Sequence, residues 1–382
     1  MPEWAGMALL PLSVALLGFA IGRRFIPHGE LWSLPMAFAA LTVGLIATGW
    51  VALVLAEFGV FDFGWMLLVT GGASAILVLW PLPNATRGQP ADRPQSDDGW
   101  ARWEHLMLAV WLVVALWLFF RPHEYIFGAA DAGVYVSLGA EIAQHGGFTI
   151  RDQTLAGMSA EMRAAVLRPL PNTPFADSYL LPGFYVTDAA GGELTPQFYP
   201  LHPVFQAIVY GAAGSADGGM RAELLLTGVW IVLGTLAVYL TARDIGGPVV
   251  GALVLAGLSL SALQVWFGRY PTSEALTQFL LWAGIWSGGR WLSDRQPFGL
   301  WAFTSGLSFG AVFLVRIDSL ILLPVFSLLL VWRWLRGWRR ADSWFAVPFV
   351  LLVVHSLLHG HFLSAPYFYE TVGYGVSLLS RL

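Results

Sequence analysis

The sequence predicts an all-α polytopic membrane protein of about ten transmembrane helices, with one large loop on the outer face. Two observations carry that prediction. The chain is 57% hydrophobic and 12% charged, whereas soluble domains average about 25% charged residues. Apolar runs long enough to cross a bilayer also recur along the chain, interrupted by one mostly polar stretch of roughly 70 residues beyond Phe120.

The candidate spans are residues 4–21, 31–56, 61–82, 103–120, 222–242, 249–266, 273–291, 298–315, 319–332 and 344–362. The first covers about 27 Å in helical form, near the hydrocarbon thickness. No basic residue precedes Arg23, so the start lacks the charged leader of a cleaved signal. The span at 319–332 is short and is expected to run past Arg333, and 366–382 is expected to form part of a further segment.

Arginine orients the spans, because every basic residue of the Lys/Arg type is Arg. With simple alternation, twelve fall on one side: Arg23, Arg24, Arg87, Arg93, Arg102, Arg243, Arg290, Arg295, Arg333, Arg336, Arg339 and Arg340. The positive-inside rule assigns that side to the cytoplasm. The long loop then lies outside a plasma or inner membrane.

Residues 83–99, rich in Pro, Asp, Gln and Arg, read as a flexible cytoplasmic linker. The expected organisation is an accessory three-helix bundle (1–82), the linker (83–100) and a transmembrane module (101–382) that includes the outer loop 121–200. Within the loop, Val134, Leu138 and Ile142 predict a surface helix over 132–144, stopped by His145-Gly146-Gly147. Residues 182–199 read as a hairpin with a Gly-Gly turn. Residues 197–213 are apolar but short, as suits a surface or re-entrant helix.

Composition also excludes functions. The net charge of −4 gives no basic face for nucleic acid. The absence of Cys excludes a thiol nucleophile, thiolate-held clusters and disulfides. No Gly-rich nucleotide-phosphate loop occurs, and the scattered Gly residues suit close helix packing in lipid. The many Trp residues suit helix ends at headgroup level.

The chemistry-bearing candidates lie on the outer side. Asp131 heads the loop helix, where it can cap the helix or stay ionised as a base or metal ligand. Glu274 opens the span after Trp266-Phe267-Gly268-Arg269-Tyr270-Pro271, and an ionisable residue at such a depth is a functional candidate. Arg316 and Asp318 read as a pair tying helices together. His202, in Tyr199-Pro200-Leu201-His202-Pro203, suits either a phosphate contact or a structural role. His355 and His359 share a helix face, yet no second cluster completes a metal site.

Taken in order, Asp131…Tyr135, Tyr199–Pro203, Arg221, Tyr239–Gly246, Arg269…Glu274 and Arg316-Ile317-Asp318 resemble the GT-C superfamily of integral membrane glycosyltransferases. The nearest type is family 39, which includes protein O-mannosyltransferases and aminoarabinose transferases. The resemblance covers about residues 103–330. Asp131 is followed by Ala132, where these enzymes commonly carry a second acidic residue. The resemblance implies a polyprenyl-phosphate-linked sugar donor and an acceptor at the outer face. It implies Asp131 as base or metal ligand, Glu274 as second acidic residue, and Arg269, His202 and Tyr135 near the donor phosphate. A divalent cation, Mg²⁺ or Mn²⁺, would sit between Asp131 and Glu274. The alternative is a non-catalytic membrane subunit, a scaffold or cofactor-binding partner of other membrane proteins, which the Trp content and the His355/His359 pair would suit.

Overall fold

A chain this apolar must satisfy its backbone hydrogen bonds internally, and helices do so within one segment. The computed structural model describes residues 3–26, 32–81, 100–126, 131–170, 178–295 and 298–379. Its helices are α1 (Glu3–Gly22), α2 (Leu34–Glu57), α3 (Phe63–Leu79), α4 (Arg102–Phe119), α5 (Asp131–His145), α6 (Gln153–Ala156), α7 (Ala160–Val166), α8 (Leu201–Ala213), α9 (Ala216–Ser259), α10 (Ala262–Arg269), α11 (Glu274–Leu292), α12 (Phe298–Val315), α13 (Leu323–Leu335), α14 (Arg340–Phe362) and α15 (Ala365–Leu379). A 3-10 turn, Ile317–Leu322, leads into α13. Local chemistry sets several starts. Ser33, Asp62 and Ser215 accept from the backbone N–H of Met36, Trp65 and Gly218, which satisfies orphan donors of the first turn.

Among the described residues, six helical segments are long and apolar enough to cross a membrane: Ala5–Gly22, Leu34–Glu57, Arg102–Phe119, Ala216–Ser259, Ile317–Leu335 and Arg340–Phe362. Phe63–Leu79 and Gly299–Val315 are shorter apolar helices. The two spans expected at 222–242 and 249–266 are distributed differently from the sequence reading. The 44-residue α9 holds the first and much of the second, breaking at Gly247 (φ 82°, ψ 176°) just before Pro248. Only Gly adopts that conformation cheaply, and Pro cannot continue the earlier hydrogen bonding.

The three N-terminal helices do not form a separate core. Phe38 of α2 packs edge-on against Trp286 and Phe279 of α11, with ring centroids 5.4 and 6.3 Å apart. Gly49 lies against the Phe205 ring of α8, where a Cβ would collide. One hydrophobic core runs through α2, α8, α9, α11, α12 and α14. Of the expected linker 83–100, residues 83–99 lie outside the described residues.

Three buried or half-buried ion-pair groups tie helices at the end of the bundle away from Asp131. Glu104 of α4 accepts from Arg243 Nε (2.6 Å) and the Tyr239 hydroxyl (3.0 Å) of α9. Asp244 of α9 accepts from Arg290 Nε of α11 (2.6 Å) and from Arg295 (3.1 Å). Asp342 of α14 accepts from Arg333 Nε of α13 (3.0 Å). Several of the arginines counted on one side are thus partnered.

The loop between α4 and α8 forms a small cap of mixed structure. The helix expected over 132–144 is α5, and the positive φ of Gly146 (82°) ends it. The hairpin expected at 182–199 is the centre of a five-stranded antiparallel sheet in the order β1 (Ile150–Arg151), β5 (Glu193–Pro196), β4 (Phe184–Asp188), β3 (Tyr179–Leu181), β2 (Arg168–Pro169). Leu155, Leu167, Val186 and Leu194 form a core of their own between the sheet and α6–α7. The helix expected within 197–213 is α8, and it is an interior helix: all but two of its residues are buried.

Gly183 joins the cap to the helix below it. It has φ 86°, and a Cβ there would lie 2.0 Å from Val134 Cγ2 of α5. Gly183→Ala is expected to lift the β3–β4 turn off α5, shown as faster proteolysis within 150–196 of detergent-purified protein while the helical circular dichroism signal holds. Unchanged cleavage would contradict this seating.

Candidate functional site

The site is built where α5, α11 and the end of α12 meet beneath the cap. Pro271 restricts Tyr270 to extended backbone (φ −96°, ψ 115°), as expected of a residue preceding proline. The chain then turns so that Glu274 opens α11, where a carboxylate favours the helix N-terminus. Asp131 opens α5 in the same way and is exposed. Arg316 leaves the end of α12 and caps the 3-10 turn.

Arg316 holds two carboxylates. Its Nη1 donates to Glu274 Oε1 (2.9 Å), and its Nε and Nη2 donate to Asp318 (3.0 and 2.9 Å). Arg316 and Asp318 pair within one junction, and the bond that reaches a second helix is the one to Glu274, a third member the sequence did not announce. Asp131 lies within electrostatic reach of both Glu274 and Arg316. Partial burial and then the Glu274 charge raise its carboxyl above the ordinary Asp range, with Arg316 opposing. The Glu274 charge thus opposes ionisation of Asp131 and the Arg316 cation favours it, which makes the site strongly polarised.

Tyrosines surround these groups. Burial, Asp131, Tyr125 and Glu274 push the Tyr270 hydroxyl upward. Burial, then Asp318, push that of Tyr367 on α15 up to about 12, with Arg316 opposing. Both stay protonated and able to donate at neutral pH. Tyr367 reaches the site because α15 folds back over it: Tyr185 of β4 donates to Glu370 (2.5 Å), and Tyr367 packs edge-on against Phe198 (6.1 Å) and Tyr199 (6.2 Å). The sequence reading had 366–382 as a partial span and gave it no part in the site.

The remaining candidates are placed deeper. The Tyr135 hydroxyl donates to Ser273 Oγ (3.1 Å), and its ring stacks on Phe198 (4.8 Å). His202 meets Tyr135 edge-on at 5.1 Å and has no accessible surface. In this arrangement both fix α5 against α8 and α11, and His202 has no atom open to a phosphate. Burial drives the His202 imidazole down to about 3, so it is neutral at physiological pH. Arg269 Nε donates to the Leu118 carbonyl (2.7 Å), tying α10 to the end of α4. The cation acting on Asp131 is Arg316.

His355 and His359 are taken up by Glu57. His355 Nε2 lies 2.8 Å from Glu57 Oε2, and His359 Nδ1 lies 2.7 Å from Oε1. Trp50 Nε1 donates to His355 Nδ1 (2.7 Å), so the Nε2 of His355 carries the proton given to Glu57. The cluster clamps α2 to α14.

Sequence reasoning also passed over a buried polar group. Gln206 of α8 and Glu223 of α9 have no accessible surface and no hydrogen-bond partner among the described residues. A Cβ on Gly139 would lie 2.5 Å from Gln206 Cβ and 2.7 Å from Glu223 Oε1, so only Gly lets α5 approach them. The available signal was a Gln and a Glu inside apolar runs.

Among the described residues, no group of three or more His, Asp or Glu side chains is arranged to hold a metal by itself. Asp131 and Glu274 nevertheless offer the hard oxygens that Mg²⁺ or Mn²⁺ prefers, and Glu274 Oε2 has no hydrogen-bond partner among the described residues. Such ions commonly take one or two carboxylates and complete their shell with water and substrate phosphate. Comparison with protein-family models, with characterised proteins and with solved structures finds no match.

Proposed function

We propose that the chain is a membrane glycosyltransferase of the GT-C type, moving a sugar from a polyprenyl-phosphate donor to an acceptor on the outer face of a plasma or inner membrane. The observation that carries the reading is the Arg316–Glu274 pair at one end of an apolar bundle, with Asp131, from a third distant segment, within electrostatic reach of both. A donor phosphate lies at headgroup level, and a reaction there needs a base and a positive charge at that plane. About ten spans result if α9 crosses on both sides of Gly247 and α3, α11 and α12 cross as well.

In the proposed reaction, the Asp131 carboxylate takes the proton of the acceptor hydroxyl. The acceptor oxygen bonds to the anomeric carbon as the bond from that carbon to the phosphate oxygen breaks. The electron pair leaves on the polyprenyl phosphate, where Arg316 offsets the charge. Tyr270 and Tyr367 are placed to donate to the sugar or the phosphate.

With Asp131, Glu274 and Asp318 ionised, the one guanidinium leaves an excess of negative charge that would repel a phosphate. Asp131 and Glu274 would hold a divalent cation there, supplying the charge neutralisation that Arg316 alone does not complete. The alternative of a non-catalytic subunit loses one support, since the histidine pair is bonded to Glu57.

The test is single-turnover release of polyprenyl phosphate from a synthetic polyprenyl-phosphate sugar by protein reconstituted in lipid. Release that stops with EDTA and returns with Mg²⁺ or Mn²⁺ is expected. No release with any donor sugar in the presence of both ions would count against the reading.

A further inference from the structure

An apolar furrow of about 480 Å³ runs along the bundle and is lined from four helices. Ile21 of α1, Ile46, Ala47 and Trp50 of α2, Phe303 and Leu307 of α12, and the stretch Arg340 to Leu352 of α14 form its walls. Arg340 is its charged lining residue, and it sits at one end. At that end Phe25 packs edge-on against Trp344 (5.0 Å). Trp50 marks the other end, its N–H turned away to His355.

Three features select the occupant. From Arg340 to Leu352 the helix rises about 18 Å, close to one leaflet of a hydrocarbon core about 30 Å thick. The furrow's walls are apolar apart from Arg340 and Ser343, which suits a single extended acyl chain. The neighbouring cations are engaged: Arg333 with Asp342, Arg339 with Asp294, and Arg336 against the Trp332 ring. Arg340 is exposed and forms no ion pair among the described residues. A comparable furrow between α1 and α3, about 660 Å³, is lined by Ser, Gly, Ala and aliphatic residues and carries no charge.

We infer that the furrow between α2, α12 and α14 is a binding site for one anionic phospholipid, its acyl chain lying from Trp344 to Trp50 and its phosphate on Arg340. Arg340 and Glu57 sit at opposite ends of α14, since Glu57 binds His355 and His359 near its other end. The site therefore belongs to the leaflet away from the Asp131 site and is independent of the transferase reading. Bound lipid would brace α2 against α14 beside the Trp50–His355–Glu57 clamp.

The test is native mass spectrometry on the delipidated full chain after addition of phosphatidylglycerol, phosphatidylcholine or inorganic phosphate. One retained phosphatidylglycerol, preferred over phosphatidylcholine about fivefold, is expected from one basic residue at an anionic headgroup. Arg340→Gln should equalise the two lipids. Ala47→Phe and Leu351→Phe, filling the furrow from opposite walls, should each abolish retention of both. Gly71→Leu, in the uncharged furrow, should leave the preference intact. A preference that persists in Arg340→Gln, or retention that survives both filling variants, overturns the site. So does binding of inorganic phosphate alone that depends on Arg340, which would make this an anion site without a lipid.

Discussion

Asp131→Asn is expected to lower sugar transfer by about 10²–10⁴-fold, the usual contribution of a positioned general base, with purified yield unchanged. The two halves of that result have one cause. Burial and Glu274 raise the Asp131 carboxyl, so the folded protein disfavours its ionisation. Any stability the protonated form lends is present at low pH and lost as pH rises through the raised value. At neutral pH the neutral Asn therefore removes no stabilising charge. Activity requires the ionised form, so transfer should fall on acidification at a pH above the ordinary Asp range. Arg316→Gln should move that fall to higher pH, whereas Glu274→Gln, which also removes a ligand of the proposed cation, should lower transfer at every pH. A pH–rate profile of the three variants reads this directly. Full activity in Asp131→Asn, or a profile unmoved by Arg316→Gln, would remove Asp131 from the role of base.

Asp342→Ala is expected to be the most damaging single change to stability among the ion pairs. Asp342 is wholly buried and accepts from Arg333 twice and from the Arg339 backbone N–H at the start of α14. Its removal leaves a guanidinium at the joint of α13 and α14 without its counter-charge. Breaking a buried pair in this way costs roughly 3–5 kcal/mol. Thermal unfolding in lipid nanodiscs should fall by on the order of 10 °C. Asp217→Ala, which breaks the exposed Arg221–Asp217 pair, should hardly move the same midpoint. Equal shifts in the two variants would show that burial does not set the worth of these ties.

Local signals decided much of this molecule. Long continuous apolar runs call for helices, because a helix satisfies the polar groups of a lipid-facing backbone within one segment. The helix at α5 was legible from Val134, Leu138 and Ile142 together with the glycines that end it. The hairpin of β4 and β5 was legible from its apolar strands and its Gly-Gly turn, because both signals are complete within a few residues. Asp131 and Glu274 stood out for a related reason, as carboxylates at the boundaries of apolar runs. The two-residue strands β1 and β2 were not legible, since neither is long enough to show alternation and both exist only through pairing with β5 and β3. The packing of α2 against α8 and α11 was not legible either, because a polar linker in sequence says nothing about which helices pack together.

Tertiary structure alone decided the partners. Arg316 and Arg269 look alike in the sequence, each beside an acidic residue at a helix end. Only the fold sets Arg316 against Glu274 and Asp131 and turns Arg269 Nε to the Leu118 carbonyl. His355 and His359 share a helix face by spacing, but their partner is Glu57, some three hundred residues earlier. Such pairings depend on which helices become neighbours, and that is set by the whole set of apolar faces being buried together. A single sequence shows where a charge sits along its own helix, and the packing of the bundle determines which opposite charge it meets.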